Sequence, residues 1–98
     1  MKAVSVTNTP TKILDAPAGV RGFAYLFNNS AQVVYLCIDG SDPATLTTAN
    51  GLPLLPNQAL WMENQVLQNV TGLTYVAAIY GIVSTGSADV RVQSTQTP

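Results

Sequence analysis

Apolar and polar residues alternate along short segments of this chain, and residues that favour turns separate those segments. Alternation with a period of two is typical of β-strands that turn one face to a core. Val4 and Val6, for example, alternate with Ser5 and Thr7 before Pro10 interrupts the pattern. No apolar stripe of helical period competes with it. The pattern predicts seven strands, at Val4–Thr7, Lys12–Asp15, Val20–Phe27, Gln32–Asp39, Gln58–Met62, Thr74–Val83 and Ala88–Val92, with Val66–Val70 as a short strand or a turn.

Two of the predicted strands are apolar on both faces. Val20–Phe27 places three aromatic residues on one face and Ala24 and Leu26 on the other, and Gln32–Asp39 contains the unbroken apolar run Val33–Ile38. Runs of this kind indicate strands that are covered on both sides. We expect the two strands to pair as a central hairpin through the turn Asn28–Ser30.

Short strands without helical segments predict an all-β fold. Seven strands in 98 residues favour a compact antiparallel β-sandwich, with a partly closed barrel as the alternative. The length fits one domain, residues 1–98. The polar segment Gln93–Pro98 is expected to be a flexible tail.

The connection Gly40–Asn57 is long, and its glycine and proline content predicts no strand of normal length. Long loops in compact domains are usually functional or shaped by a partner. Asn50-Gly51 favours a turn, and prolines then hold three leucines extended. This apolar segment either packs over the end of its own sandwich or docks into a neighbour. The predicted partner interface comprises Asn50, Leu52, Pro53, Leu54, Leu55, Pro56 and Trp61.

The charge content is low. Only 9% of the residues are charged, against about 25% in an average soluble domain. The polar surface must therefore consist mostly of uncharged side chains, and the net charge is only −1. Both features suggest a protein whose surface is largely covered by partners. The four scattered basic residues argue against nucleic-acid binding. The apolar runs are too short for a transmembrane helix, and the first residues do not form a signal peptide, so we expect no membrane association and no secretion.

The residues that carry most catalytic chemistry are missing. Histidine is absent, so no imidazole can activate a nucleophile or bind a metal. Cys37 lies in an apolar strand and is interpreted as a small buried hydrophobe. Asp39 and Asp42 form the closest carboxylate pair for a glycosidase-like or calcium site, but an Asx-type turn is the favoured interpretation. We expect neither an enzyme nor a cofactor nor a bound metal.

Several motifs resemble those of a known class of proteins. They are the turn Asn28–Ser30 leading into a strand, the segment Thr48–Pro56, and the run from Tyr75–Tyr80 through Ser84–Val92. Over residues 29–92 the chain is similar to small β-sandwich virion proteins of tailed bacteriophages. In such proteins we expect a glycine after the proline that corresponds to Pro56, and this chain differs because it has Asn57 there.

The resemblance implies a structural role on the virion and brings no catalytic residues. The leading hypothesis is a capsid decoration or cement protein that stabilises the head by bridging subunits. Its partners would be the major capsid protein or other virion proteins and further copies of itself, with a trimer favoured. It would be made in the host cytoplasm and end in the virion. The alternative is a receptor- or glycan-binding module of a fibre or tail tip, which needs an exposed aromatic platform, and a small carboxylate hydrolase is a third possibility.

Overall fold

The structure is a computed structural model, and it describes residues 2–16, 21–63 and 78–96 of the chain. These residues form β-strands and a short 3-10 helix, Pro43–Thr45. The strands of the described residues are β1 (Lys2–Thr7), β2 (Thr11–Leu14), β3 (Arg21–Asn28), β4 (Val34–Cys37), β5 (Leu52–Leu54), β6 (Ala59–Glu63), β7 (Ile79–Ile82) and β8 (Ser87–Gln96).

The strands form two four-stranded antiparallel sheets. Sheet A has the order β1-β8-β3-β6, and sheet B has the order β2-β7-β4-β5. The two sheets pack face to face, which confirms the predicted all-β antiparallel sandwich. Within the described residues the sheets do not close on each other, so the barrel alternative is wrong.

The core lies between the sheets, where each strand places alternate residues. In β3, Ala24 and Leu26 point inward, and in β4, Val34 and Leu36 do the same. This is the alternation from which the strands were predicted, because a pleated strand sends successive side chains to opposite faces. The side chains with at most 1% exposure in this core are Val6, Ile13, Ala24, Leu26, Val34, Ile79, Val83 and Val90.

The predicted central hairpin is wrong. β3 belongs to sheet A and β4 to sheet B, so the connection at residues 29–33 crosses from one sheet to the other. The expectation that both strands are covered on both sides is also wrong. Phe23 and Tyr25 in β3, and Tyr35 and Cys37 in β4, are half-buried on the outer faces of their sheets. A two-layer sandwich leaves one face of each sheet to solvent.

Two strands, β5 and β8, differ most from the prediction. The connection Gly40–Asn57 contains the three-residue strand β5, which pairs with β4. β8 continues past Val92 to Gln96, and its residues Gln93 to Gln96 pair with β3 instead of forming a frayed tail. The predicted segment Val66–Val70, the start of the predicted strand Thr74–Val83 and the last two residues of the predicted tail lie outside the described residues.

Asn28 joins the two sheets at the end of β3. Its side chain is completely buried, and its Nδ2 donates hydrogen bonds to the carbonyl oxygens of Gln32 (2.7 Å) and Leu54 (2.9 Å). Its Oδ1 accepts a hydrogen bond from the hydroxyl of Ser30 at 2.7 Å. Because Leu54 belongs to β5, this one amide ties sheet A to the edge strand of sheet B.

A tight turn connects β5 to β6. The backbone N–H of Gln58 donates to the carbonyl oxygen of Leu55 at 3.0 Å, and Pro56 and Asn57 occupy the two central positions. Asn57 has φ 60°, a left-handed conformation in which glycine is most common and asparagine is tolerated. The backbone of Asn28 bonds to this turn on both sides, to Asn57 (2.8 Å) and to Gln58 (3.0 Å).

Candidate functional site

Large apolar side chains are exposed along one lateral edge of the sandwich. In the described part of the chain, Leu52 is 45% exposed, Leu55 50% and Trp61 54%. Leu52 lies in β5, an edge strand of sheet B, and Trp61 lies in β6, an edge strand of sheet A. The turn that contains Leu55 joins these strands, so one continuous stretch of chain carries the exposed apolar groups.

The loop that precedes β5 is closed by Asn50. The Nδ2 of Asn50 donates to the carbonyl oxygen of Thr45 at 2.8 Å, and its Oδ1 accepts from the N–H of Thr47 at 2.8 Å. The next residue, Gly51, packs so closely on β4 that an added Cβ would lie 2.6 Å from the Cβ of Tyr35. Asn50 was predicted at a partner interface, and the structure shows that its side chain holds its own loop together.

The predicted interface residues do not form one surface. Leu54 is 3% exposed and belongs to the hydrophobic core, so its assignment to the interface is wrong. It is buried because β5 pairs with β4 and turns Leu54 toward sheet A, as Val34 opposite it does. The remaining members of β5 and its turn are exposed, and we call Leu52, Pro53, Leu55 and Pro56 the apolar rim.

Trp61 belongs to a different surface, the outer face of sheet A. Its indole stacks on the ring of Phe23, with centroids 5.1 Å apart and planes inclined by 7°. Tyr25 meets the same indole edge-on, at 5.7 Å and 70°. We call Phe23, Tyr25 and Trp61 the aromatic face. The alternation of aromatic residues in the predicted strand Val20–Phe27 signalled one side of this cluster, but no sequence feature placed Trp61 beside it.

Polar side chains continue the outer face on the neighbouring strand, β8. Gln93 lies opposite Tyr25 and is exposed, and Arg91 lies opposite Phe27. The Nε of Arg91 is 2.9 Å from a carboxylate oxygen of Asp89. Hydrogen bonds from Asn29, whose Nδ2 lies 3.1 Å from Asp89 Oδ2, and from Arg91 lower the pKa of the Asp89 carboxyl. The outer face is therefore aromatic on β3 and β6 and polar on β8.

An open cleft of about 450 Å³ lies between the end of β4 and the loop before β5. Cys37 and Asp39 line it, and the thiol donates to a carboxylate oxygen of Asp39 at 3.5 Å. Burial, together with this carboxylate, raises the pKa of the Cys37 thiol. A raised pKa disfavours the thiolate that a nucleophilic or metal-binding cysteine needs. Cys37 is half-buried and not fully enclosed as expected.

Asp39 and Asp42 are used by the backbone around them. Asp39 accepts a hydrogen bond from the N–H of Ser41 at 3.0 Å. The pKa of its carboxyl is lowered mainly by the side chain of Ser41, and next by this backbone N–H. Asp42 accepts from the N–H of Ala44 at 3.0 Å and caps the 3-10 helix. These contacts confirm the Asx-type turn interpretation. Among the described residues, no group of three or more acidic or cysteine side chains is placed to hold a metal ion.

Comparisons of the chain with protein-family models, with curated proteins and with solved structures found no match. In the residues that the structure describes, no helix has the length and apolar character to cross a bilayer. The assignment of function therefore depends on the surfaces described above.

Proposed function

We propose that this protein is a structural component of a bacteriophage virion, a capsid decoration protein that stabilises the head by bridging its subunits. The observation that carries the proposal is the apolar rim, where Leu52 on β5 and Leu55 in the turn after it are each about half exposed. Exposed apolar patches mark surfaces that bind protein. The low charge content and the resemblance to virion proteins support the same function.

A partner is expected to bind the apolar rim through side-chain contacts and not by adding a β-strand to the edge of sheet B. β5 is only three residues long, and its central residue, Pro53, has no backbone N–H to offer to an incoming strand. Short edge strands with proline resist β-sheet extension. In the proposed function, a capsid subunit or a second copy of the chain packs apolar groups against Leu52 and Leu55.

The size of the molecule is compatible with several such contacts. A stable protein–protein interface covers about 800 Å² on each partner. The accessible surface of this protein is 5335 Å², so one interface would take about a seventh of it. A trimer that also sits on the capsid would cover two or three times that share.

The test is a double substitution on the rim, Leu52→Ser with Leu55→Ser, compared with Ala3→Ser. Ala3 is exposed on β1, at the opposite lateral edge of sheet A. Co-sedimentation with heads of the phage that encodes the protein measures capsid affinity, and analytical ultracentrifugation measures self-association. We expect wild type and Ala3→Ser to bind, and the rim variant to lose about tenfold or more in affinity. A wild-type monomer with no affinity for heads or for itself would refute the proposal.

A further inference from the structure

The aromatic face is a second surface that the proposed capsid contact does not use. Trp61 and Tyr25 lie on the outer face of sheet A, whereas the apolar rim belongs to β5 and its turn. These aromatic rings are not part of the core, which is formed by other residues. A cluster of exposed aromatic rings on a protein surface is typical of a binding site.

Neighbouring rings hold the indole of Trp61 in place. Phe23 lies nearly parallel to it and Tyr25 nearly perpendicular, which are the two arrangements that aromatic pairs favour. Even with both rings against it, 54% of Trp61 remains exposed. An exposed ring whose orientation is fixed loses little conformational freedom when a ligand binds.

Polar side chains on β8 lie beside the aromatic face and extend this surface of sheet A. Gln93 neighbours Tyr25 across the strands, and Arg91, Asp89 and Asn29 form a hydrogen-bonded group one row away. Amide, guanidinium and carboxylate groups are planar and offer paired donors and acceptors. Adjacent strands lie about 4.8 Å apart, which is close to the length of one pyranose ring.

We propose that the aromatic face, together with Gln93 and Arg91, binds a neutral oligosaccharide. The apolar C–H face of one sugar ring stacks on Trp61, and hydroxyl groups of the next ring bond to the polar side chains of β8. Arg91 is paired with Asp89, so it adds no net positive charge to this face. A nucleic acid could stack on the same rings, but Arg91, the cation among the side chains described for this face, is already paired with Asp89 and is poorly placed to neutralise phosphates.

Binding can be observed directly, because Trp61 is the only tryptophan in the 98 residues. Its fluorescence is recorded during titration of the full chain with cellohexaose, maltohexaose and chitohexaose, and isothermal titration calorimetry measures the affinity. We expect at least one of these oligosaccharides to shift or quench the emission, and binding to release heat. No spectral change and no heat with all three oligosaccharides would overturn the proposal.

Substitutions distinguish the aromatic face from other surfaces. Trp61→Ala and Tyr25→Ala are each expected to weaken binding by about tenfold or more, measured by calorimetry, and Trp61→Phe to retain part of it. The matched control is Tyr80→Ala, which removes a half-buried tyrosine from the outer face of sheet B and should bind as wild type does. Circular dichroism verifies that each variant is folded.

The rim variant Leu52→Ser with Leu55→Ser should still bind the oligosaccharide. Failure of the capsid proposal and failure of this one are thus separate results. If Trp61→Ala instead abolishes capsid binding or self-association and leaves oligosaccharide binding unchanged, the occupant of the aromatic face is a protein and the proposal is wrong.

Discussion

The side chain of Asn28 is buried completely, and each of its polar atoms has a hydrogen-bond partner. A buried amide without partners would cost several kcal/mol, whereas a satisfied one fixes the groups around it in a single arrangement. Asn28 fixes the crossing from sheet A to sheet B and the position of β5. The sequence showed Asn28–Ser30 as a turn, but it could not show that the first residue of the turn is part of the core.

We predict that Asn28→Ala lowers the free energy of unfolding by about 2 to 4 kcal/mol, because it leaves the carbonyl oxygens of Gln32 and Leu54 without this donor. Urea denaturation measures the effect. The matched control is Asn29→Ala, since Asn29 is exposed and its Nδ2 donates a hydrogen bond to Asp89 on the surface. The control should cost at most about 1 kcal/mol. Equal losses in the two variants would contradict the role assigned to Asn28.

The interpretation of Asp39 and Asp42 is confirmed and that of Leu54 is wrong, and the physical reason for the difference is the range of the contacts involved. The carboxylates Asp39 and Asp42 were interpreted as turn residues, and they are, because the preference of aspartate for nearby backbone N–H groups is local. Leu54 was assigned to the interface, but its burial depends on pairing with β4, a contact between distant parts of the chain. Local chemistry can be read from neighbouring residues, and long-range pairing cannot.

In strand β7, close packing in the core determines which residue fits at position 81. It is flanked by β2 and β4 in sheet B, and its Gly81 faces the core. A Cβ at this position would lie 2.8 Å from Cδ1 of Ile13 and 3.2 Å from Cγ1 of Val34. Glycine weakens a strand, but here any larger residue would push neighbouring side chains apart.

We predict that Gly81→Ala destabilises the protein by about 1 to 3 kcal/mol through overpacking. Ile13→Val removes the Cδ1 atom that the new methyl group meets, at a cost of about 0.5 to 1.5 kcal/mol by itself. In the double variant, Gly81→Ala should cost about 1 kcal/mol less than it does in wild type. Thermal and urea unfolding of the four proteins give the coupling energy. A coupling energy of zero would show that Ile13 is not the group that excludes alanine.

The elements that were predicted least well are those with weak local patterns. β5 was missed because three residues with a proline in the middle do not form a recognisable alternation. The end of β8 was interpreted as a tail because Gln93 to Gln96 are all polar, although these residues pair with β3. The connection between β3 and β4 has the length of a hairpin, and nothing in its local sequence indicates that it crosses between the two sheets.

At the scale of the whole molecule, the ionisable groups predict how stability depends on pH. No side chain titrates as histidine does, so the free energy of unfolding should be nearly constant between about pH 5 and pH 8. Asp15, Asp39 and Asp89 have lowered pKa values in the folded protein, mainly through hydrogen bonds from Lys12, Ser41 and Asn29. Below about pH 4 the unfolded chain therefore binds more protons than the folded one, and stability falls as the pH falls.

The measurement is urea denaturation at pH values from 7 to 2, for wild type and for Asp89→Asn. The substitution removes one of the carboxylates whose pKa is lowered. Its loss of stability on acidification should therefore be less steep than that of wild type below about pH 4. Parallel curves for the two proteins would show that Asp89 contributes nothing to the acid response.

The fold class could be predicted because it depends on features present everywhere in the chain. Alternation in segments such as β1 and β3, with turn residues between them, predicted an antiparallel all-β fold and favoured the sandwich, and the structure then excluded the barrel. The candidate surfaces were predicted only in part. The exposed leucines of the apolar rim were identified from their own segment, but the contact of Trp61 with Phe23 and Tyr25 joins strands that are far apart in sequence.

The position of β8 has a consequence for how the protein is made. β8 is the last strand along the chain, yet it lies between β1 and β3 in sheet A. Among the described strands β8 is the one that pairs with β1 in sheet A and lies between β1 and β3, so both strands lack this neighbour until residues 87–96 have left the ribosome. Folding of this sheet therefore waits until residues 87–96 have been made, and premature stop codons before residue 87 should yield aggregated fragments.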